Sequence, residues 1–406
     1  MMRGPWGLAR RFGVGPLGGV VEGFAAELEG QGYSWRSSEA QLGLMRHLSV
    51  WLGARGLTAA DVDGDVIGVF VVDRRAGYVG LRSERALWPL LAYLRGLGVV
   101  PAAARVLAST PTEAVVERFA RHLSAERGLA VLTVRSYVSQ VRPFLAVFGP
   151  DEAGRVTATG PQVTAFVTGR GVGQRPRSAA VGANAVRALL RWMWREGIVT
   201  AALADAVGTF AGQTATAVPK ALTADEVARL RAGLSAEKDS RLRDEPMLAL
   251  MLRLGLRAGE VAALRLDDIV WRTGLIVVAG KRGRRDQVPL PVDVGELLVT
   301  YLRDGRPDSV HRQVFLGVDA PHRVLRATAV SCVAARALAR AGITGRGAAH
   351  RLRHTAACGV LAGGGGLVEA GQLLRHSSPQ ATAVYARADV TALAVLARPW
   401  PGRVVR

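Results

Sequence analysis

Between residues 255 and 385 the sequence sets arginine, lysine, histidine and tyrosine in an ordered series. It reads Gly255-Leu-Arg257-Ala-Gly-Glu260-Val-Ala-Ala-Leu264-Arg-Leu-Asp267-Asp-Ile269, then Gly280-Lys281, then His350-Arg-Leu-Arg353-His354-Thr355, then Leu373-Leu-Arg-His376-Ser-Ser378, with Tyr385 nine residues past that histidine. Guanidinium forks match phosphate oxygens two at a time. A lysine is tuned downward by neighbouring cations, where arginine stays charged. Imidazole carries protons near neutrality, and a tyrosine oxygen is a covalent nucleophile. A lone HxxR is weak evidence, but the whole series in order points to chemistry at a phosphate.

The charge balance agrees with an anionic partner. In 406 residues, 53 Lys plus Arg stand against 33 Asp plus Glu, a formal charge of +20. Cations that neutralise phosphates release condensed counterions, so DNA is the polyanion indicated; the plainer reading is a solubility surface in an arginine-rich proteome. Only Lys220, Lys238 and Lys281 are lysine, so Lys281 amid Arg282, Arg284 and Arg285 marks a task a guanidinium does poorly. With 49% hydrophobic and 21% charged residues, packed cores are expected and disorder over most of the chain is not. The length implies two or three domains. Cys332 and Cys358 stand in no CxxC or HxxxH pattern, which gives neither a disulfide framework nor a zinc site. Charged residues interrupt every apolar run before the roughly 20 residues of a bilayer span, and Glu22 breaks the one leader-like stretch. The expectation is a cytoplasmic protein without membrane, metal or cofactor.

Positioning these residues calls for a mainly helical scaffold. Two stretches run in parallel: Phe24 and Phe119 are 95 residues apart, and Gly98 and Gly197 are 99 apart. In the second, Val138, Val141, Phe144, Leu145 and Phe148 recur at helical spacing. The spacing predicts a duplicated helical module, residues 1–105 and 106–211, with a linker at 212–221 around Gly212-Gln-Thr-Ala-Thr-Ala-Val-Pro219. Beyond it, Thr223 and Glu226 form a capping-box pattern. Residues 222–390 read as a mixed domain: helices at Pro246–Leu254, Gly259–Leu264, Asp293–Arg303, Arg326–Ala341, His354–Leu361 and Gln380–Arg387, with a hairpin of Leu275–Ala279 and Gln287–Leu290 carrying a basic tip. The fold class is mainly α with a small antiparallel β-sheet, and 391–406 is a tail.

In order and spacing, residues 222–390 resemble the tyrosine recombinase (phage integrase) family, in particular its Xer-like and transposon-borne members. The second helical module resembles that family's SAM-like core-binding domain. The resemblance implies strand exchange by transesterification, without ATP or metal. Arg257 and Arg353 would clamp the non-bridging oxygens of the scissile phosphate as negative charge gathers there, and Tyr385 would attack phosphorus and store the bond as a phosphotyrosyl ester. Lys281 would protonate the leaving 5′ oxygen, His350 would take the tyrosine proton, and His376 would donate a hydrogen bond to the phosphate. Glu260 is expected to orient or cap near Arg257, Asp267 to belong to a helix end, and His354 to lie close to the phosphate site and support it from behind.

The implied partners are double-stranded DNA with two paired sites and further copies of the chain in a tetramer, with sister recombinases as an option, in the nucleoid of a bacterium. Arg135, Arg142, Arg187 and Arg191 of the second module and Arg282, Arg284 and Arg285 of the hairpin are candidate DNA contacts. Ser34-Trp35-Arg36-Ser37 and Arg46 suggest an arm or second clamp, or a packing repeat. Val390–Ala397 suggests a helix exchanged between protomers, or one that packs within the chain. Two departures stand out: Arg375 replaces a glycine common before the last histidine, which alters a backbone contact or adds a phosphate contact, and Gly363–Gly366 predicts a flexible loop. The competing readings are a type IB topoisomerase and a catalytically silent DNA-binding accessory protein of a mobile element.

Overall fold

The computed structural model describes residues 11–101, 110–174, 176–209, 220–234, 238–280, 283–376 and 378–387. Most of the 212–221 linker, Lys281, Arg282 and the 391–406 tail lie outside the described residues. The chain divides into two compact units, residues 104–216 and the remainder.

Helices α1 (Val21–Gly30), α2 (Trp35–Gly53), α3 (Gly64–Gly77) and α4 (Glu84–Gly96) close around Phe24, Leu28, Met45, Leu48, Phe70 and Leu90. Ser34 caps α2 by accepting from the Ser37 N–H at 3.3 Å, and Asp63 caps α3 by accepting from Val66 at 2.8 Å. In the unit 104–216, α5 (Pro111–Arg121), α6 (Val131–Val147), α7 (Gly160–Gly171) and α8 (Pro176–Arg195) surround Phe119, Phe144, Val163, Leu189 and Met193. The two four-helix sets end alike. The N–H of Val99 donates to the Leu94 carbonyl at 3.0 Å past Gly98 (φ 71°), and that of Ile198 to Met193 at 2.8 Å past Gly197 (φ 70°). These are glycine-dependent helix stops, at the two glycines that the parallel stretches of sequence align.

The remaining helices are α9 (Ala224–Leu234), α10 (Lys238–Arg253), α11 (Ala258–Ala263), α12 (Val292–Asp304), α13 (Ala327–Arg340), α14 (Ala348–Ala362), α15 (Leu367–Leu373) and α16 (Pro379–Thr382), which runs into a 3₁₀ turn, Ala383–Arg387. Thr223 and Glu226 form the expected capping box of α9, at 3.2 and 3.0 Å. Helix α10 is central: Met247, Leu250, Met251 and Leu254, spaced by three and four residues, are at most 1% exposed, each side chain contributing about 1.5–3 kcal/mol of burial. It packs against α12 and α14.

The sheet has three antiparallel strands in the order β1 (Ile269–Val270), β2 (Leu275–Ala279), β3 (Arg285–Pro289), with Ile276 opposite Val288 and Ala279 opposite Arg285. Ile269, Ile276, Val278 and Val288 turn to the core. Strand β1 was not anticipated, because two residues are too few to display a period of two. The Gly363–Gly366 segment, expected to be flexible, is a hydrogen-bonded helix stop. The Gly365 N–H reaches the Val360 carbonyl at 2.9 Å and Gly364 (φ 86°) reaches Leu361 at 3.0 Å, a Schellman pattern.

Gly255 joins α10 to α11 at φ 60°, and a Cβ there would stand 2.7 Å from Leu374 Cδ2. Gly255→Ala is therefore expected to destabilise the protein by about 2–4 kcal/mol through backbone strain and overpacking. Chemical denaturation checks this; a loss within the error of the wild type would show that the loop relaxes.

Candidate active site

Each site residue sits where a helix end or one helix face can aim it. Arg257 is the N-cap residue of α11, so its own backbone N–H is left to be satisfied by a side chain. Glu260, three residues on, does this at 2.8 Å with Oε2, while its Oε1 accepts from Nη1 of Arg257 at 2.6 Å. On α14, Arg353 and His354 lie three and four residues after His350 and four and three before Ala357, so the group shares a face. Arg375 and His376 close α15 in a second Schellman turn: the N–H of His376 donates to Gly371 at 3.0 Å and that of Arg375 to Gln372 at 2.9 Å. Tyr385 lies in the 3₁₀ turn after α16, packed with Ala357, Ala370 and Leu374.

Arg353 is 6% exposed, and its guanidinium donates to the carbonyls of Gly255 and Leu374. Burial, then the charge of Arg257, pulls its pKa down to about 10, so it stays a cation at neutral pH. Glu260 also accepts from Nη2 of Arg375 at 2.8 Å. Burial alone would raise its pKa, but the Arg257 N–H, the charge of Arg375 and the side chain of Arg257 together hold it below the ordinary carboxylate value. Two guanidiniums thus meet on one carboxylate, and a third, Arg353, shares the Gly255 carbonyl with Arg375, leaving a concentrated positive charge.

The hydroxyl of Tyr385 stands 2.6 Å from Nδ1 of His354. The phenol is 2% exposed, and burial pushes its pKa up to about 12. His354 is pushed down by burial, then by His350 and Arg353, so at neutral pH the imidazole is neutral and, with its proton on Nε2, is able to accept from the phenolic O–H at Nδ1. His376 stacks on the Tyr385 ring at 6.3 Å between centroids and meets Thr382 Oγ1 through Nδ1 at 2.8 Å. His350 is exposed, its ring 6.5 Å from that of His354. His354, expected to support the site from behind, does so by touching the phenol directly, and its spacing of four from His350 puts the two on a shared face. Beside this group a cleft of about 820 Å³ opens between β3 and α15, lined among others by Arg284, Gln287, Leu367, Gly371, Arg375 and His376.

Residues 220–391 match the model described as the phage integrase family, and residues 116–197 that of the phage integrase N-terminal SAM-like domain. The integrase/recombinase-type protein y4rA of Sinorhizobium fredii is 35% identical over 392 residues, covering 96% of this chain and 95% of that one. The chain belongs to the phage integrase family. Tyrosine recombinase XerD of Mycobacterium tuberculosis is 31% identical over 290 residues, covering 67% of this chain and 92% of its own. A solved structure of XerH bound to a palindromic difH substrate shares the fold at a TM-score of 0.56 and 15% identity, over 72% of this chain and 97% of that one. A lambda integrase dimer bound to a core site does so at 0.53 and 19%, over 84% and 90%. These relatives are recombinases, which sets the tyrosine recombinase reading above a topoisomerase or a silent accessory protein.

Among the family-suggested DNA contacts, the structure separates committed arginines from available ones. Arg142 is paired with Glu113, its Nη2 at 3.0 Å. Arg187 donates to Asn184 at 2.6 Å and to the carbonyls of Val207 and Gly208 at 2.9 and 3.1 Å, which ties α8 to the turn Leu203–Ala206. Arg284 pairs with Asp286 and Arg285 with Asp268, each at 2.7 Å. Arg135 and Arg191 are exposed. In the first helical set, Ser34 acts as a cap, and Arg46 is exposed. Asp268 accepts from the Arg265 N–H at 3.0 Å, while Asp267, expected at that helix end, pairs with Arg312. Cys358 is a half-buried free thiol. Among the described residues no helix is long and apolar enough to cross a membrane, and no His, Cys, Asp and Glu group is placed to hold a metal.

The His376 imidazole is pushed down to about 4 by burial, then by Arg353, Arg257 and Arg375. An unfolded histidine titrates near pH 6.5. Between these values the unfolded chain binds a proton that the folded one does not, so stability is complete above pH ~6.5 and declines as pH falls toward ~4. Thermal melts of the DNA-free protein are expected to show this fall, and His376→Asn, which keeps a partner for Thr382, flattens part of it. Identical slopes in both proteins would assign the titration to another group.

Proposed function

We propose that this chain is a site-specific DNA recombinase of the integrase or transposase type, which cleaves and rejoins strands through a 3′-phosphotyrosyl intermediate and a four-way junction. Double-stranded DNA carrying two paired recombination sites is the substrate, and four copies of the chain act together on it. The observation that carries the reading is the Tyr385 hydroxyl on a neutral histidine beside the Arg257 and Arg353 guanidiniums. A phenol with so high a pKa is a poor nucleophile until a base removes its proton, and His354 is in hydrogen-bond contact to do so. His350, exposed on the same helix face, would relay that proton outward. Arg257 and Arg353 would neutralise the non-bridging oxygens of the pentacoordinate phosphorus, and the attack conserves the phosphoester bond energy for religation. His376 would donate from its other ring nitrogen to the phosphate. Lys281 would supply the proton to the departing 5′ oxygen. XerH and lambda integrase bound to their sites, and a lambda integrase tetramer bound to a Holliday junction, support the DNA and tetramer parts of the proposal.

The test is a suicide substrate: nicked DNA from the ends of the chain's own genetic element, resolved on denaturing gels. Wild type is expected to form a covalent protein–DNA adduct and Tyr385→Phe none, with the Phe variant folding normally because its ring fills the same core. Tight binding without an adduct on any cognate DNA would move the reading to an accessory protein, and relaxation of supercoils without site preference to a topoisomerase.

The arginines of the unit 104–216 are expected to separate in a second experiment. Arg135→Ala leaves stability unchanged and lowers the salt slope of DNA binding by about one. Arg187→Ala costs about 1–3 kcal/mol of stability through its orphaned carbonyls. Salt-dependent binding isotherms and thermal melts read both, and a reversal of the two would refute the division.

A further inference from the structure

Arg375 holds a backbone position suited to glycine. It is the residue just past α15 in a Schellman turn, with φ at 53°, where a Cβ is disfavoured and an arginine gains nothing from the backbone. Its side chain is 5% exposed. Nη1 donates to the carbonyls of Leu373 at 2.8 Å and Leu254 at 3.3 Å, Nη2 to Glu260 at 2.8 Å and Gly255 at 3.4 Å, and Nε is buried without a partner. All four Nη hydrogens of Arg375 are thus engaged, whereas Arg353 spends one from each Nη on a carbonyl, which speaks against the added phosphate contact considered at Arg375 from the sequence. The same Glu260 oxygen that receives Arg375 receives the Arg257 N–H, and the other receives the Arg257 guanidinium, which is 40% exposed.

A buried carboxylate demands a cation, and leaving one unpaired is strongly unfavourable. If Arg257 were the sole counterion of Glu260, turning its guanidinium toward a phosphate would strand that carboxylate. With Arg375 in place, the carboxylate keeps a buried partner while Arg257 turns. We infer that Arg375 is a positioning residue, the standing counterion of Glu260 that frees the Arg257 guanidinium to move from that carboxylate to the scissile phosphate. This rests on the recombinase reading of the site. The helix cap itself is independent of the exchange, since a capping box accepts Gln as well as Glu.

The test compares wild type, Arg375→Gly, Arg375→Lys and the double variant Arg375→Gly with Glu260→Gln in single-turnover adduct formation on nicked DNA. Glycine suits the left-handed position better than arginine, so Arg375→Gly is expected to fold and to bind DNA with unchanged affinity. It is expected to cleave about 10–100-fold more slowly, the penalty of a misplaced catalytic group. Arg375→Lys falls between, and adding Glu260→Gln recovers most of the rate because the carboxylate that detains Arg257 is gone. Wild-type cleavage by Arg375→Gly, or a double variant as slow as the single one, overturns the inference. Carbon-13 NMR of the Glu260 carboxyl separates this from the parent reading: its pKa rises in Arg375→Gly if the ion pair holds, and an unmoved carboxyl overturns the inference regardless of any adduct. A raised carboxyl pKa with no adduct from wild type overturns the recombinase reading, and the phosphate task of Arg257 with it, while leaving the pair intact.

Discussion

The site is organised by one buried carboxylate and one glycine carbonyl. Glu260 satisfies the free N–H at the start of α11, takes the Arg257 guanidinium and takes Arg375 from beneath, so a helix cap, a half-exposed guanidinium and a helix stop share a single anion. Five residues away, the Gly255 carbonyl accepts from both Arg353 and Arg375. Positive charges gathered at this density repel one another and resist burial, and only the carboxylate and the carbonyl dipoles make the cluster tolerable. In the proposed reaction this excess charge would meet the negative charge of the pentacoordinate phosphorus, already in place before substrate arrives.

The same crowding sets the proton chemistry. A buried phenol keeps its proton, and imidazoles lose theirs through burial first and then through neighbouring cations, Arg353 for both and Arg257 and Arg375 as well for His376. The two effects drive Tyr385 and His354 in opposite directions, up to about 12 and downward from the usual histidine value, giving a donor and an acceptor in contact. Separation of pKa values by environment is the general way in which one site acquires an acid and a base.

How much of this was legible in the sequence depended on the range of the interactions involved. The second half of α10, helix α13, the capping box at Thr223 and the hairpin were readable because their signals are local: a stripe at three-four spacing, a capping pair, an apolar run ended by a glycine turn. The roles of His354 and Arg375 were not, because each depends on a partner far along the chain, 31 residues away for His354 and Tyr385 and 115 for Arg375 and Glu260. The departure at Arg375 was visible as a residue in a glycine's place, but its meaning required the left-handed backbone and the buried carboxylate. Likewise, Arg187 and Arg135 look alike in a basic helical sequence, and only the carbonyls of Val207 and Gly208 distinguish a fastening from a free charge.

The central claim is that Arg257 and Arg353 form the phosphate seat that Tyr385 addresses. A crystal structure of the protein with nicked cognate DNA and vanadate, which mimics pentacoordinate phosphorus, tests it most directly. The account predicts both guanidiniums about 3 Å from the equatorial oxygens, the Tyr385 oxygen at an apical position, and Glu260 left to Arg375. Vanadate bound elsewhere, or held while Arg257 still faces Glu260, would contradict it.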